Sequence, residues 1–550
     1  MKFFKDKYRL SLIVLSIIFF VIYSFLNIDF ANFPKLNFTS SDYLIFNQPD
    51  ESANYFFSRN LTFSNHYFRV PEELSFLTLN QLHPRSMTVV EGNLVPIGFP
   101  GVILVFSLFA SLFVSIFGVG VFNFALVSFV PLLGALTPLV FYAFLKKIFN
   151  RRVAFLASLL LFINPAWWYY SSRSLQHIIV FSFFLVSSLY FVAKFFYCHN
   201  FKKKNIFAFL WAFLFGLAII VRPIEVLWLG PVLLFSLIYL RKNFNLKDFL
   251  FFGLGAFLTA FVFFFLQIVY YGAPLATGYA LVQENGMAGS VLDKVNDSFF
   301  LFGFSFKAIL KNSWHYAGIL FPAWFLSYVF SFVYLVYLLC KKNLDKKKYL
   351  ILFNIFIFTA LVLSFYYGSS SFADNLSGNY SIGSSQVRYF MPLYIFGTLF
   401  IAIFFNFLLK LKKLKYLLLP IFFIILSLSS VFSVFYKFES LTHIKSVLKE
   451  YKNIRTEIVE GTENNAIIIT RYADKYLFPE RQVITSLEND YFLQGVKNLV
   501  SRGYPVYIFD LLKNEKALET MLDRLSPYDL GLAEPIYENE DSQFRQILSK

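Results

Sequence analysis

Apolar runs of membrane-crossing length recur along the chain, and clusters of Lys and Arg separate them. The runs cover 10–26, 97–117, 121–145, 153–170, 175–197, 206–221, 224–240, 249–271, 316–340, 349–367, 388–409 and 416–436. Each approaches the roughly 20 residues that a helix needs to cross about 30 Å of hydrocarbon. Basic clusters stand at 146–152, 202–204, 241–247, 341–348 and 410–415. The positive-inside rule makes them the cytoplasmic side, with the N-terminus there and the opposite ends of the runs outside. Parity then raises a difficulty. The chain must pass from outside at 96 to inside at 146, an odd number of crossings, whereas 97–145 reads as two helices. Three short or broken passes, helped by Gly118, Gly120, Pro131, Gly134 and Pro138, restore it, and 11 to 13 spans are expected.

Two stretches depart from this pattern. Segment 28–96 is too polar to cross a bilayer and too aromatic for a free linker. With Phe46, Tyr55, Phe56, Phe57, Tyr67 and Phe68, it is expected to lie along the outer surface as short amphipathic helices. From 437 the composition turns soluble. Residues 440–456 read as a helix, and Ala466–Thr470, Gln482–Thr485 and Val506–Asp510 read as strands alternating with helices near 490–502 and 512–524. That alternation predicts a small extracytoplasmic α/β domain with parallel strands. The expected architecture is an all-α polytopic membrane domain over 1–436, with 28–96 as its outer first loop, and the α/β domain over 437–550.

Composition narrows the class. Hydrophobic residues make up 57% and aromatics 21%, and the mean hydropathy of +0.60 exceeds what a soluble core of this length hides. The formal net charge of +16 lies largely in short loops facing lipid headgroups, which argues against nucleic acid as a partner. Cys198 and Cys340 both sit beside basic loops, so neither a disulfide framework nor a zinc site is expected. Lys2, Lys5, Lys7 and Arg9 precede the first apolar run without a small-residue cleavage site, which reads as a retained span. Asn37, Asn60, Asn296, Asn375 and Asn379 begin sequons, all on the outer side.

The lone ionisable residues fall at the outer ends of the runs: Asp50, Glu51, Arg173, Arg222, Glu225 and Arg388. Asp50 and Glu51 follow Pro49 and open a helix, where carboxylates also serve the helix dipole. Arg222 sits between two apolar stretches, where a charge persists only if paired or lining a wet cavity. Arginine at headgroup depth suits a phosphate on a lipid tail, since the guanidinium fork pairs with phosphate oxygens and keeps its charge when desolvated. A carboxylate in the first loop can then act as general base on an acceptor hydroxyl, while the arginines stabilise charge on the leaving phosphate. The acidic and guanidinium groups are thus expected to meet in one cavity at the outer lipid boundary. His83, His177 and His315 fall on the same side, but no close metal-ligand spacing such as HExxH occurs. His66, His199 and His443 have no informative neighbours.

Several short motifs occur in a recognisable order. They are Asp50-Glu51 with Tyr55, His83-Pro84, Asn164-Pro165 with Tyr169-Tyr170-Ser171-Ser172-Arg173, Gly216-Leu217-Ala218 with Arg222-Pro223, and Arg388-Tyr389 with Pro392. In this order, over about 40–400, the chain resembles the GT-C membrane glycosyltransferases, particularly protein O-mannosyltransferases and aminoarabinose transferases that use polyprenyl-phosphate sugars. The resemblance implies inverting transfer of a sugar from a polyprenyl-phosphate donor to a hydroxyl of a glycan, lipid or protein at the outer membrane face. It implies Asp50 as base and Glu51 as its helper. Arg173, Arg222 and Arg388 are the expected phosphate ligands, and Tyr55, His83, Arg85, His177, Glu225 and Tyr389 the expected further contacts. No cofactor or metal is predicted, although a divalent ion is compatible with the family. Arg85 departs from the pattern, standing where a second proline is usual. A transporter or flippase of lipid-linked glycans is the alternative, but its charges would spread through the membrane depth; a polymerase of such glycans would not need the Asp-Glu pair.

Overall fold

A computed structural model describes residues 6–26, 43–63, 68–240, 244–284, 304–340, 346–369, 380–411, 415–485, 490–539 and 541–549. The sequons at Asn37, Asn296, Asn375 and Asn379, His66, and the middles of the loops 272–315 and 368–387 lie outside these residues. The chain forms two compact units. One comprises Met1–Leu36, Phe124–Phe263 and Ala288–His443, and the other Asn37–Asn123, Phe264–Met287 and Ile444–Lys550.

The first unit is a helical membrane bundle. Among the described residues, ten helices are long and apolar enough to cross a membrane, and an eleventh arises if Arg151–Ile163 and Pro165–Ser171, bent by 59° at Asn164, count as one. Pro223–Ile238 is a shorter apolar helix. Lipid-facing surfaces are plain in Leu246–Tyr271, whose Phe257 and Phe261 are 65% and 59% exposed, an exposure tolerable only against hydrocarbon. This is an integral, multi-pass membrane protein.

Helix packing resolves the parity. Asp6 bonds Tyr142 at 2.9 Å and also pairs with Lys146, and Ser16 donates to the Ala135 carbonyl at 2.8 Å. Helix Lys7–Ser24 is therefore antiparallel to Phe122–Ile148, and the first ends at the level where the second begins. The chain between them returns to the membrane face it left. The only span-length helix between them among the described residues, Pro100–Phe117, is thus not a crossing. It packs along Pro49–Thr62, with Ser58 donating to the Ile103 carbonyl and Thr62 to that of Ser107, both at 3.4 Å. Leu108, Leu112 and Ile116, one face at four-residue spacing, stay exposed. The expected three broken passes are therefore replaced by one crossing and one helix that does not cross. With Pro100–Phe117 set aside, and the bent pair and Pro223–Ile238 counted, eleven crossings remain among the described residues.

Phe122–Ile148 runs unbroken through Pro131 and Pro138. Pro138 cannot donate to the Gly134 carbonyl, and the Trp167 indole donates to it instead at 3.1 Å, so the proline costs the helix no buried acceptor. Elsewhere in this unit Gly255 and Gly216 let two helices touch: a Cβ on Gly255 would lie 2.6 Å from the Phe209 carbonyl oxygen, and one on Gly216 would strike Thr259. Lys204 pairs with the fully buried Asp248 at 2.9 Å, at the basic ends of the same two helices.

The second unit combines the first loop with the C-terminal region. The first loop is less helical than expected. After Pro49–Thr62 and Glu72–Leu77 come three antiparallel strands, β1 (Phe68–Arg69), β2 (Met87–Val90) and β3 (Asn93–Pro96), in the order β1-β3-β2. The β2–β3 turn places Glu91 and Gly92 at φ 50° and 76°, the positive values a two-residue hairpin needs. The C-terminal region holds β4 (Ile467–Thr470), β5 (Gln482–Ile484), β6 (Val506–Asp510), β7 (Leu530–Glu538) and β8 (Gln543–Ser549), in the order β5-β4-β6-β8-β7. β4 pairs in parallel with β5 and β6, as expected, while β7 and β8 form an antiparallel hairpin on the edge beyond β6. Leu74, Leu77 and Leu82 of the first loop join the core of Ile467, Ile508 and Leu525.

Candidate functional site

In the membrane unit, local sequence chemistry places each arginine. Proline disfavours the helical region for the residue before it, so helix Phe201–Val221 ends at Arg222, which is extended at φ −143°, and Pro223–Glu225 turns as a single 3-10 turn. That turn brings Arg222 and Glu225, each 1% exposed, into an ion pair at 2.8 Å. Glu225 also accepts from the Trp228 indole at 2.5 Å. The Arg222 Nε and Nη1 have no hydrogen-bond partner among the described residues. Its guanidinium stands 5.3 Å from the ring centre of Tyr389 and 5.9 Å from that of Phe181.

Asn164 caps helix Pro165–Ser171 by accepting from the Trp167 N–H at 3.1 Å. The Arg173 side chain, just past its end and 2% exposed, donates to the Tyr169 hydroxyl at 3.2 Å. Ser384 caps helix Ser385–Tyr389; Arg388 on that helix donates to the Ser385 hydroxyl. Tyr170 donates to the Ser384 carbonyl at 2.8 Å, which ties the two short helices together. His177, first residue of its helix, feels the charges of both Arg222 and Arg388. Tyr389 stacks on Tyr367 at 4.0 Å with an interplanar angle of 9°. Arg173, His177, Arg222, Glu225, Arg388 and Tyr389 thus assemble around one short helix.

The other candidates belong to the second unit. Asp50 is half-buried and accepts from the Ser86 hydroxyl at 2.6 Å. Glu51 is buried, and its carboxylate accepts from the Gln48 N–H at 3.1 Å, closing a capping box. Tyr55 donates to Asn123 at 2.7 Å and receives a bond from Arg59 at 3.3 Å. Arg85 binds Asp474 through its backbone N–H at 2.8 Å and its side chain at 3.0 and 2.6 Å. The ring of His83 lies 3.0 Å from the Pro84 carbonyl. Burial pulls this imidazole below its usual value, against the opposing influence of that carbonyl and of Asp474. Among the described residues no group of three His, Cys, Asp or Glu is placed to hold a metal ion.

Tyr367, Trp228 and Gln386 complete the arginine cluster without having been singled out in the sequence. Trp228 had a readable signal, standing three residues after Glu225 on one helical face. Tyr367 and Gln386 had none.

Bundle, first loop and appended α/β region have counterparts among solved structures. The oligosaccharyltransferase of Archaeoglobus fulgidus, with a tethered acceptor peptide carrying the NVT sequon, aligns over 100% of this chain and 75% of its own at TM-score 0.55 and 13% identity. ArnT from Cupriavidus metallidurans aligns over 94% of this chain and 96% of its own at TM-score 0.51 and 12% identity. The chain has the GT-C fold. The GT-C resemblance also appears in sequence, since residues 100–270 match the family described as dolichyl-phosphate-mannose-protein mannosyltransferase. No curated protein matches. Two further structures of these proteins are complexes, one of the Archaeoglobus fulgidus oligosaccharyltransferase AglB with an inhibitory peptide and a dolichol-phosphate and one of ArnT with undecaprenyl phosphate.

Proposed function

We propose that this chain is a glycosyltransferase that moves a sugar from a polyprenyl-phosphate donor to a hydroxyl acceptor, with inversion, at the membrane face opposite the basic loops. The carrying observation is Arg222: a buried guanidinium with one nitrogen paired to Glu225 and two left without hydrogen bonds, beside the buried Arg173 and Arg388. Unmet buried donors cost about 1–3 kcal/mol per group, and an anionic lipid headgroup satisfies them. Glu225 fixes the guanidinium while leaving those two nitrogens available. Tyr389 and Phe181 supply a desolvated aromatic wall on which the cation is favourable.

Asp50 acts as general base on the acceptor hydroxyl. Ser86 orients its carboxylate, and Glu51 positions it by locking the first helical turn. As the acceptor oxygen attacks the anomeric carbon and the carbon–phosphate oxygen bond breaks, the acceptor proton passes to Asp50 and the arginines receive the phosphate charge. The matched mannosyltransferase family and the lipid phosphates bound by the two neighbours support this donor class.

The test uses the purified chain in lipid with radiolabelled polyprenyl-phosphate mannose and candidate hydroxyl acceptors. Release of polyprenyl phosphate with labelled product is expected. Asp50→Asn should abolish it, and Glu51→Gln, which keeps the capping box, should only reduce it. Full activity in Asp50→Asn removes the base assignment.

A further inference from the structure

The helix that carries Arg388 also carries Gln386, a residue that the proposed chemistry does not use. Gln386 is 1% exposed. Its backbone N–H is met by the Ser384 hydroxyl at 3.3 Å. Neither its side-chain Nε2 nor its Oε1 has a hydrogen-bond partner among the described residues. Burying an amide with both ends unmet is costly, which marks the position as one that a ligand completes. Gln386 and Tyr389 are three residues apart, on one face of the helix, and the Arg222 guanidinium stands 5.3 Å from the Tyr389 ring. The amide and the guanidinium therefore flank the same tyrosine.

The two groups differ in what they can accept. The unmet atoms of Arg222 are donors only, suited to phosphate oxygens. The amide presents two N–H donors and one carbonyl acceptor. A fully ionised phosphate, which only accepts, would leave that carbonyl buried and unmet; a hydroxyl, which both donates and accepts, would not. We infer that Gln386 recognises a hydroxyl of the donor sugar, next to the phosphate held by Arg222, and so discriminates among lipid-linked sugars. This inference rests on the glycosyl-transfer reading above. Ser384, held through its own hydroxyl by Tyr316 at 2.8 Å and through its carbonyl by Tyr170, anchors the helix so that the amide is presented without further ordering.

The experiment measures equilibrium binding of undecaprenyl phosphate and of undecaprenyl-phosphate mannose to the full chain in lipid nanodiscs. Gln386→Leu should weaken binding of the mannose lipid by about tenfold and leave binding of the bare phosphate unchanged. Its ligand-free Tm should equal or exceed that of the wild type, because replacing an unpartnered buried amide by an apolar group of similar size removes a penalty. Gln386→Met, unbranched and of similar length, gives the same readings should leucine fit poorly. Arg222→Met with Glu225→Gln should weaken both lipids. Equal loss for both lipids in the Gln386 variants assigns the amide to phosphate and overturns the inference. So does no loss with either, or a lower ligand-free Tm. A wild type that binds neither lipid overturns the glycosyl-transfer reading itself, and this inference with it.

Discussion

Two almost fully buried arginines, one in each unit, show how differently this protein uses the same side chain. Arg481, 5% exposed, donates to the Thr462 hydroxyl at 2.9 Å and to the carbonyls of Glu480, Val459 and Thr462 at 2.7 to 2.9 Å. It stitches a turn of the α/β region to the end of helix Leu441–Glu460. Arg222, 1% exposed, has a single ion pair, with two nitrogens lacking hydrogen bonds. Burial alone does not distinguish structure from function. Hydrogen-bond satisfaction separates the two, and a buried cation left incompletely met is the one that calls for a ligand.

The comparison is sharpest in activity. Asp50→Asn should lower glycosyl transfer by about 10²–10⁴-fold, the usual worth of a general base, with unchanged Tm, as read from labelled product and thermal unfolding. An equal loss of Tm would make Asp50 a structural residue like Arg481. Next, Arg481→Ala should cost about 2–4 kcal/mol of stability by stranding the carbonyls it serves, with transfer per folded molecule unaltered. The reciprocal variant, Arg222→Met with Glu225→Gln, should cost about 2–4 kcal/mol in use of the lipid donor and little stability, since removing both members of a buried pair is often neutral. If the two arginine variants fail in the same assay, the contrast collapses.

The smallest effect concerns pH. His83 has its pKa lowered by burial, so below about pH 6.5 the unfolded chain takes up a proton that the folded chain resists. Stability therefore falls as pH drops from there toward the folded pKa. Unfolding followed between about pH 7.5 and 5 should show that slope in the wild type and a flatter one in His83→Gln.

The membrane class, the helix opening at Pro49 and the strands Val506–Asp510 and Gln482–Ile484 were all legible, because hydrophobic period and turn residues act locally. So was the grouping of Arg222 with Glu225, three residues apart across a proline. The single passage through Pro131 and Pro138 was not, since the partner that rescues the Gly134 carbonyl, Trp167, comes from another helix. Nor were the edge strands β7 and β8, whose pairing with β6 is long-range. Gln386 was invisible for a related reason: an amide is ordinary in sequence, and only packing reveals that nothing satisfies it.

Pro100–Phe117 poses a problem during synthesis. It is 18 residues long with a hydropathy of 2.3, above that of most of the other span-length helices, so the insertion machinery meets a segment that resembles a true span and must nevertheless not thread it across. Were it threaded, each later helix would be inverted, and the lysines and arginines at 146–152 would have to be exported. On the positive-inside reading of the sequence, the reluctance of those charges to translocate opposes such threading from some thirty residues downstream.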